Sequence, residues 1–340
     1  MGISLLGTIP SIAGGAMISS AIALNHRFGK RATEPSSGLY SMLTFDSQSK
    51  WKSSFIAGML FAASLVASLY GFEEIENTNI KPFESDKLFF KGTPLIHFML
   101  SGLLIGLGSR LAQGGLTKYG FYGIPRFNGP SLVATATVFI FGAITATLRS
   151  NFSILQGLNI SKKFNEHLDF RLSFLVPLAI LGFNLLRNYS NRETVMDILK
   201  SFGIGNLLSA GMMAAGLGRR HQVLDFLSLN KNWNPFFIFV LLGAGLANMF
   251  LLNVVFPAKG QVEDMPPSAV SPRMLVGCSL FGVGLGIGGL TPGSGLLVSP
   301  IYLPQILLFF LPFIVAGQMG IGFVEKFLGI GGSAKTAKVQ

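Results

Sequence analysis

Long apolar segments recur along this 340-residue chain, and each comes close to the length that crosses a bilayer. A helix needs about 20 residues to span a hydrocarbon layer about 30 Å thick. The candidate segments are 3–25, 53–72, 93–113, 131–148, 171–187, 196–217, 235–256, 273–290 and 299–324. Because a chain inside lipid has to satisfy its own backbone hydrogen bonds, these segments predict an all-α polytopic membrane protein with about nine transmembrane helices.

Few side chains carry charge, and their arrangement is typical of a membrane protein. Charged residues make up 12% of the chain, whereas soluble domains contain about 25%. The net charge of +11 would suggest a nucleic-acid partner in a soluble protein. Here the basic residues mostly flank apolar segments, so we expect them to set topology and contact lipid headgroups. The expected partner is the lipid bilayer, with no nucleic acid.

The distribution of basic residues also indicates how the protein is placed in its membrane. Lys and Arg are only mildly asymmetric between alternate loops, and the bias would place the C-terminus on the positive side of the membrane. We expect an integral, multi-pass protein. A mitochondrial inner membrane is one of several membranes that fit a basic chain without a visible removable signal.

Side chains that carry chemistry are sparse. The single cysteine, Cys278, lies inside the apolar run MLVGCSLFGVG, so no intrachain disulfide can form. His26, His97 and His167 lack the spacing of a metal site. We find no pairing of a nucleophile with a base. The sequence therefore predicts a protein that is not an enzyme, with no cofactor and no metal.

A short repeat divides the chain into two halves. The tetrapeptide GGLT occurs at 114–117 and again at 288–291, each time at the end of a glycine-spaced apolar run. Each copy follows the third helix of its half, and corresponding helices are offset by five, an odd number. The two halves would then cross the bilayer in opposite directions, as in the inverted repeats of many transporters.

This plan predicts four parts. They are a first transporter-like repeat at 1–150, a linker with a connecting helix at 151–195, a second inverted repeat at 196–332 and a polar tail at 333–340. A short polar tail frays in water unless another group holds it. A partner subunit is a natural candidate for that role.

The stretch GGLTKYGFYG, at 114–123, lies between two apolar segments although its composition is that of a turn. Non-helical backbone at membrane depth is tolerated only when it is buried in protein or lines a water-filled path. We therefore expect two glycine-rich breaks that meet near the midplane, where free N–H groups would suit a small anion. The alternative is that both are ordinary turns outside the membrane.

Three stretches carry a resemblance to a known family: GLGSRLAQGGLTKYGFYGIPRFNGPSLVATATVFIFGAIT, GMMAAGLGRRHQVLDFLSLNKNWNPFFIFVLLGAG and LFGVGLGIGGLTPGSGLL. Together they resemble the YeeE/YedE-type sulfur-transport membrane proteins, which include thiosulfate uptake proteins. The resemblance covers most of both halves. It implies that motif cysteines would contact a sulfur substrate along a central path.

This chain lacks those cysteines. In the first motif Gly114 and Thr117 fit the pattern, but Gly115 and Tyr122 stand at the cysteine positions and Tyr119 stands at the histidine position. Glycine offers no side-chain group to a substrate, and tyrosine would narrow a path. We therefore expect the tyrosines to obstruct the route that the family uses.

The second motif departs in the same way. Pro292 and Gly293 fit, whereas Thr291 stands at the cysteine position and Ser294 replaces a proline. Threonine keeps a hydrogen-bond donor but lacks sulfur chemistry. The substrate-path candidates are Gly114, Gly115, Thr117, Lys118, Tyr119, Tyr122, Thr291, Pro292 and Gly293.

Basic residues near the motifs allow two interpretations. Lys118 and Arg110 could hold an anion at a helix end, or both could extend to the lipid headgroups, and we favour the second interpretation. The cluster Arg219, Arg220 and His221 is interpreted as the positive flank of a membrane helix.

Two functions remain open. One is a degenerate transporter kept as an accessory or structural subunit, with other membrane proteins as partners; the missing cysteines and the tyrosines favour it. The other is a transporter of a small anion such as thiosulfate, with backbone N–H groups, Thr117, Thr291 and Lys118 in place of thiols.

Overall fold

The computed structural model describes residues 5–44, 50–71, 73–75, 81–84, 95–151, 173–230, 233–256 and 265–327. Within these residues the fold is built from helices. They are α1 (Leu5–Leu24), α2 (Pro35–Leu43), α3 (Lys50–Tyr70), α4 (Leu95–Ala112), α5 (Gly129–Asn151), α6 (Leu175–Arg187), α7 (Arg192–Ala214), α8 (Arg220–Leu227), α9 (Phe236–Phe250), α10 (Pro272–Gly288), α11 (Pro292–Val298), α12 (Leu303–Phe309) and α13 (Leu311–Phe327). The predicted tail at 333–340 and most of the predicted linker loop lie outside the described residues.

Seven helical segments in the described part of the chain are long and apolar enough to cross a membrane. They run over Thr8–Gly29, Lys50–Tyr70, Leu95–Ala112, Gly129–Arg149, Phe236–Val255, Pro272–Val298 and Gln305–Phe327. An all-α, polytopic membrane fold is therefore confirmed.

Two of the nine predicted segments differ from this set. The segment 171–187 forms α6, which has 13 residues and is shorter than a full crossing. The segment 196–217 belongs to α7, which has 23 residues but begins earlier, at Arg192. The Asn191 side chain accepts a hydrogen bond from the backbone N–H of Thr194 and starts that helix. Its first turns carry charge, which lowers its mean hydropathy.

The predicted helix at 299–324 is divided in two. α12 ends at Phe309, and α13 begins at Leu311. Pro312 lacks a backbone N–H, and its ring crowds the carbonyl four residues earlier, which explains the interruption at Phe310. The last long apolar segment, Gln305–Phe327, combines most of α12 with α13.

The helices pack in two matching sets. α1 packs against α7; α1 also packs against α9, and α7 packs against α3. α4 packs against α10; α4 also packs against α13, and α10 packs against α5. Every one of these pairs joins a helix before residue 152 to a helix after residue 191. Within each set, one central pair is flanked by two outer pairs.

Glycines bring α3 and α7 into backbone contact. A Cβ atom at Gly58 would overlap the carbonyl oxygen of Phe202, and a Cβ atom at Gly205 would overlap the carbonyl oxygen of Phe55. A side chain at either glycine would separate the two helices.

The same contacts recur between α1 and α9. A Cβ atom at Gly15 would overlap the carbonyl oxygen of Val240, and one at Gly243 would overlap the carbonyl oxygen of Ile12. The Ser19 hydroxyl donates to the carbonyl of Ala244 at 2.7 Å and adds a polar link.

The second set has the same kind of contact where α4 meets α13 and where α10 meets α5. α4 and α10 each carry two glycines four residues apart, and these glycines face carbonyl oxygens of the neighbouring segment. The contacts pair Gly102 with Phe310, Gly106 with Ile314, Gly282 with Val138 and Gly286 with Gly142.

Candidate functional site

The first motif begins where α4 ends. Gln113 adopts a left-handed backbone conformation, with φ of 58°, and the N–H of Gly114 donates to the carbonyl of Ser109 at 2.9 Å. The predicted break is thus present, but it is short. Thr117–Gly123 forms a turn of π-helix, not the non-helical loop that the glycine content predicted. The side chain of Asn248 donates to the Phe121 carbonyl and supports this turn from α9.

The second motif begins where α10 ends. Gly289 has a φ of 69°, which favours glycine, and its N–H donates to the carbonyl of Leu285 at 2.7 Å. Thr291 then caps α11 in a capping box: its Oγ1 accepts from the N–H of Ser294, and the Ser294 hydroxyl accepts from the N–H of Thr291. The capping box therefore starts α11 immediately after α10 ends.

The two motifs meet at one cavity. Thr117 and Thr291 are both half-buried, and both line a small, partly open cavity of about 30 Å³. The other lining residues are Ile18, Leu116, Phe121, Phe139, Leu208, Met212, Leu217, Val223, Phe226, Leu227, Phe237, Leu285, Gly289 and Ser294. Two of the nine predicted path residues, one from each motif, therefore line the same space.

Gly115 is held by the carboxylate of Glu34, the residue that caps the start of α2. Its N–H donates to Oε2 of Glu34 at 2.9 Å. The other oxygen of Glu34 accepts from the hydroxyl and the N–H of Ser36, at 2.8 and 3.3 Å. A Cβ atom at Gly115 would lie 3.2 Å from both Glu34 Oε1 and the Phe281 ring. Glu34 and Phe281 thus occupy the space that a side chain at this position would need.

The side chain of Lys118 packs against Gly114 within the first motif. Lys118 is 5% exposed, and its Nζ donates to the Gln113 carbonyl at 2.7 Å. A Cβ atom at Gly114 would lie 2.6 Å from Cδ of Lys118, so glycine makes room for the lysine stem. Lys118 therefore stabilises the end of α4 and does not extend to the surface as predicted.

The tyrosines lie outside the cavity lining. The Tyr119 hydroxyl donates to the Ala112 carbonyl in the last turn of α4. The Tyr122 hydroxyl lies 3.0 Å from Nδ1 of His26 and 3.2 Å from the sulfur of Met265. Both rings are almost fully buried. Both tyrosines were expected to obstruct a path, but neither ring lines this cavity.

Pro292 and Gly293 open α11 and are buried behind Thr291. A Cβ atom at Gly293 would lie 3.0 Å from Cε of Met212. These two residues shape the turn, whereas Thr291 and Ser294 line the cavity.

Sequence reasoning missed two charged residues that hold the motifs. Arg220 is 1% exposed, and its Nε donates to the Gly288 carbonyl at the end of α10. Its guanidinium lies 5.3 Å from the centroid of the Phe98 ring. The interpretation of this residue as a positive flank is therefore wrong. Glu34 could have been identified from TEPSS, because an acidic residue before proline is a helix-start pattern.

Comparisons with known proteins show similarity over parts of this chain. Residues 196–330 match a family of unknown function, DUF6691. Two curated proteins of Xylella fastidiosa, from strains Temecula1 and 9a5c, are each named "Probable transporter" and are 45% identical over 49 residues. Those residues are 14% of this chain and 36% of each relative, so the matched region spans about a third of the relatives' length. No solved structure matches.

The helices and these similarities agree. The protein is an integral, multi-pass membrane protein that resembles transporter-like membrane proteins.

Proposed function

We propose that this protein moves a small solute across its membrane, through the cavity between its two glycine motifs. The observation that carries the proposal is the convergence of Thr117 and Thr291, from opposite halves of the chain, on one cavity. Binding sites at the interface of two repeats, next to broken helices, are the usual arrangement in secondary transporters.

The glycine contacts between helices fit an inverted-repeat arrangement, which would support this assignment. The contacts of Gly58 and Gly205 between α3 and α7 have the same pattern as those of Gly243 and Gly15 between α9 and α1. Exchanging the halves exchanges these contacts, which is what a pseudo-two-fold axis would produce. Such an axis would pass through the α1–α7 and α4–α10 contacts and close to the cavity, where Ile18 and Leu208 both lie.

The size of the relatives also fits a two-part design. The same 49 residues make up a larger share of each relative than of this chain, so each relative is less than half as long. A chain of that length corresponds to one half of the present fold. We infer that this protein combines in one chain two units that resemble those relatives.

A second candidate is the accessory subunit predicted from the missing cysteines. One observation favours it: the polar groups of both motifs are bonded within the chain, Gly115 to Glu34 and Thr291 to Ser294. A subunit without cargo would need no free donors. Purification from native membranes, followed by identification of co-migrating chains, tests this candidate.

Transport is tested with purified protein in liposomes. We expect solute flux above that of protein-free vesicles, and we expect Leu208→Trp to abolish it, because Leu208 lines the cavity. Leu246→Trp is the matched control, since Leu246 lies on α9 and is 64% exposed. Flux that both tryptophan variants retain would exclude the cavity as the route. Thiosulfate belongs among the solutes, because the sulfur-transport resemblance makes a sulfur-containing anion one proposed cargo.

A further inference from the structure

The lining of the cavity indicates which solutes it accepts. We infer that the central cavity binds a small uncharged solute with a mainly apolar surface, and that it excludes anions. This inference rests on the proposed function, because it names the class of cargo for the same cavity.

The first observation is the chemistry of the lining. Of the 16 described residues that line the cavity, the polar side chains are those of Thr117, Thr291 and Ser294, and no Lys, Arg, His, Asp or Glu is among them. The remaining surface is aliphatic, aromatic and thioether. Pockets of this composition bind ligands through apolar contact, with a few polar groups to set orientation.

The second observation is that several backbone donors near the motifs already have partners. The N–H of Gly115 donates to Glu34, and the N–H groups of Thr291 and Ser294 are used in the capping box. These three groups are therefore not free to bind an anion in the cavity.

The third observation is that the charged groups buried near the motifs do not line the cavity. Glu34, Lys118 and Arg220 are 8%, 5% and 1% exposed, and none of them is among the lining residues. Glu34 accepts from the N–H of Gly115, Lys118 donates to the Gln113 carbonyl and Arg220 donates to the Gly288 carbonyl. Charges of both signs are therefore used in contacts behind the lining.

These observations combine into a selectivity argument. An anion that enters an apolar cavity loses its hydration without gaining a paired cation, and such desolvation is unfavourable. An uncharged solute loses far less hydration, and the hydroxyl groups in the lining can orient its polar groups. The probe should therefore be a small, uncharged molecule with an apolar body and two hydroxyl groups, such as 1,2-propanediol.

The experiment compares 1,2-propanediol with thiosulfate in liposomes that contain the full chain. We expect faster vesicle re-swelling with 1,2-propanediol than in protein-free vesicles, a return to the protein-free rate in Leu208→Trp, and no loss in Leu246→Trp. Radiolabelled thiosulfate should enter no faster than in protein-free vesicles. Ile18→Phe, a smaller change in the same lining, replaces Leu208→Trp if that variant does not purify as a folded protein.

Binding is measured separately, so that the inference and the proposed transport can fail independently. Each probe is titrated against the thermal unfolding of purified protein, because a ligand that binds the folded state raises Tm. We expect 1,2-propanediol to raise the Tm of the unmodified protein and of Leu246→Trp, but not that of Leu208→Trp. Thiosulfate should leave all three unchanged.

Each pattern of results has one meaning. Binding of 1,2-propanediol without flux would end the transport proposal and leave the inference standing. Thiosulfate flux or binding that Leu208→Trp removes would overturn the inference and support transport. If 1,2-propanediol neither binds nor passes at the cavity, the inference is wrong.

Discussion

Gly115 shows how one residue depends on distant parts of the chain. Its N–H donates to Glu34, which caps α2, and its missing side chain leaves room for Glu34 and for Phe281 on α10. The position is therefore defined by three segments that are far apart in sequence.

This arrangement predicts coupling between positions 115 and 34. Gly115→Cys should lower the stability by about 1–3 kcal/mol, because the new Cβ atom lies 3.2 Å from Glu34 Oε1. In a Glu34→Ala background the same change should cost less, with a coupling energy of about 1 kcal/mol. Thermal unfolding of the two single variants and the double variant measures this difference. Gly129→Cys is the control, since nothing lies within 4 Å of a Cβ atom there; equal losses in both backgrounds would contradict the prediction.

The capping box of the second motif predicts how much the Thr291 hydroxyl contributes to stability. Thr291→Val removes the oxygen that caps α11 at nearly constant volume. The loss of such a cap costs about 0.5–2 kcal/mol, whereas Thr291→Ser should retain most of the stability. The two variants are compared by Tm. A Val variant as stable as the Ser variant would show that the capping box contributes nothing at this turn.

At the scale of helices, close packing depends on particular glycines. Gly205 and Gly203 lie two residues apart on α7, but a Cβ atom would overlap the Phe55 carbonyl at Gly205 and meets nothing within 4 Å at Gly203. Gly205→Leu should therefore destabilise the protein by about 1–3 kcal/mol or more, and Gly203→Leu should be nearly neutral.

The proposed inverted repeat extends this prediction to α9. There Gly243 contacts Ile12, whereas Gly245 has open space around it. Gly243→Leu and Gly245→Leu should reproduce the difference seen between Gly205→Leu and Gly203→Leu. Unfolding in detergent measures all four variants. A large loss at only one of the two contact glycines would argue against equivalent helix crossings in the two halves.

The sequence predicts some of these helices better than others. Seven long apolar segments match described helices because an apolar run directly reports burial in lipid or protein. The charged start of α7 and the break near Pro312 were missed because residue counts ignore caps and proline geometry. The π-helical turn at 117–123 depends on Asn248 and on packing from other helices, which a local pattern does not contain.

The residues of the candidate site were also predicted only in part. Thr117 and Thr291 were found from the repeated GGLT, because a repeat is visible in the sequence itself. The partners of the motifs, Glu34 and Arg220, were not found. Their roles come from tertiary contacts, and nothing in the neighbouring letters indicates which carbonyl or N–H they will bond.

For the whole molecule, the only cysteine provides a direct test of the packing. Cys278 is 1% exposed and lies on α10, where α4 and α5 both pack. A membrane-permeant maleimide should therefore leave the folded protein unlabelled and react fully after denaturation in sodium dodecyl sulfate. Intact-mass measurement gives both values, with Gly129→Cys as the accessible control. Rapid labelling of the native protein would contradict the described α4–α10 contact.

The carboxylate beside Gly115 also constrains how this chain can evolve. Any mutation that gives position 115 a side chain meets resistance from positions 34 and 281 together. A side chain at position 115 is therefore accommodated only with an accompanying change at position 34 or 281. We expect these three positions to vary together among related sequences.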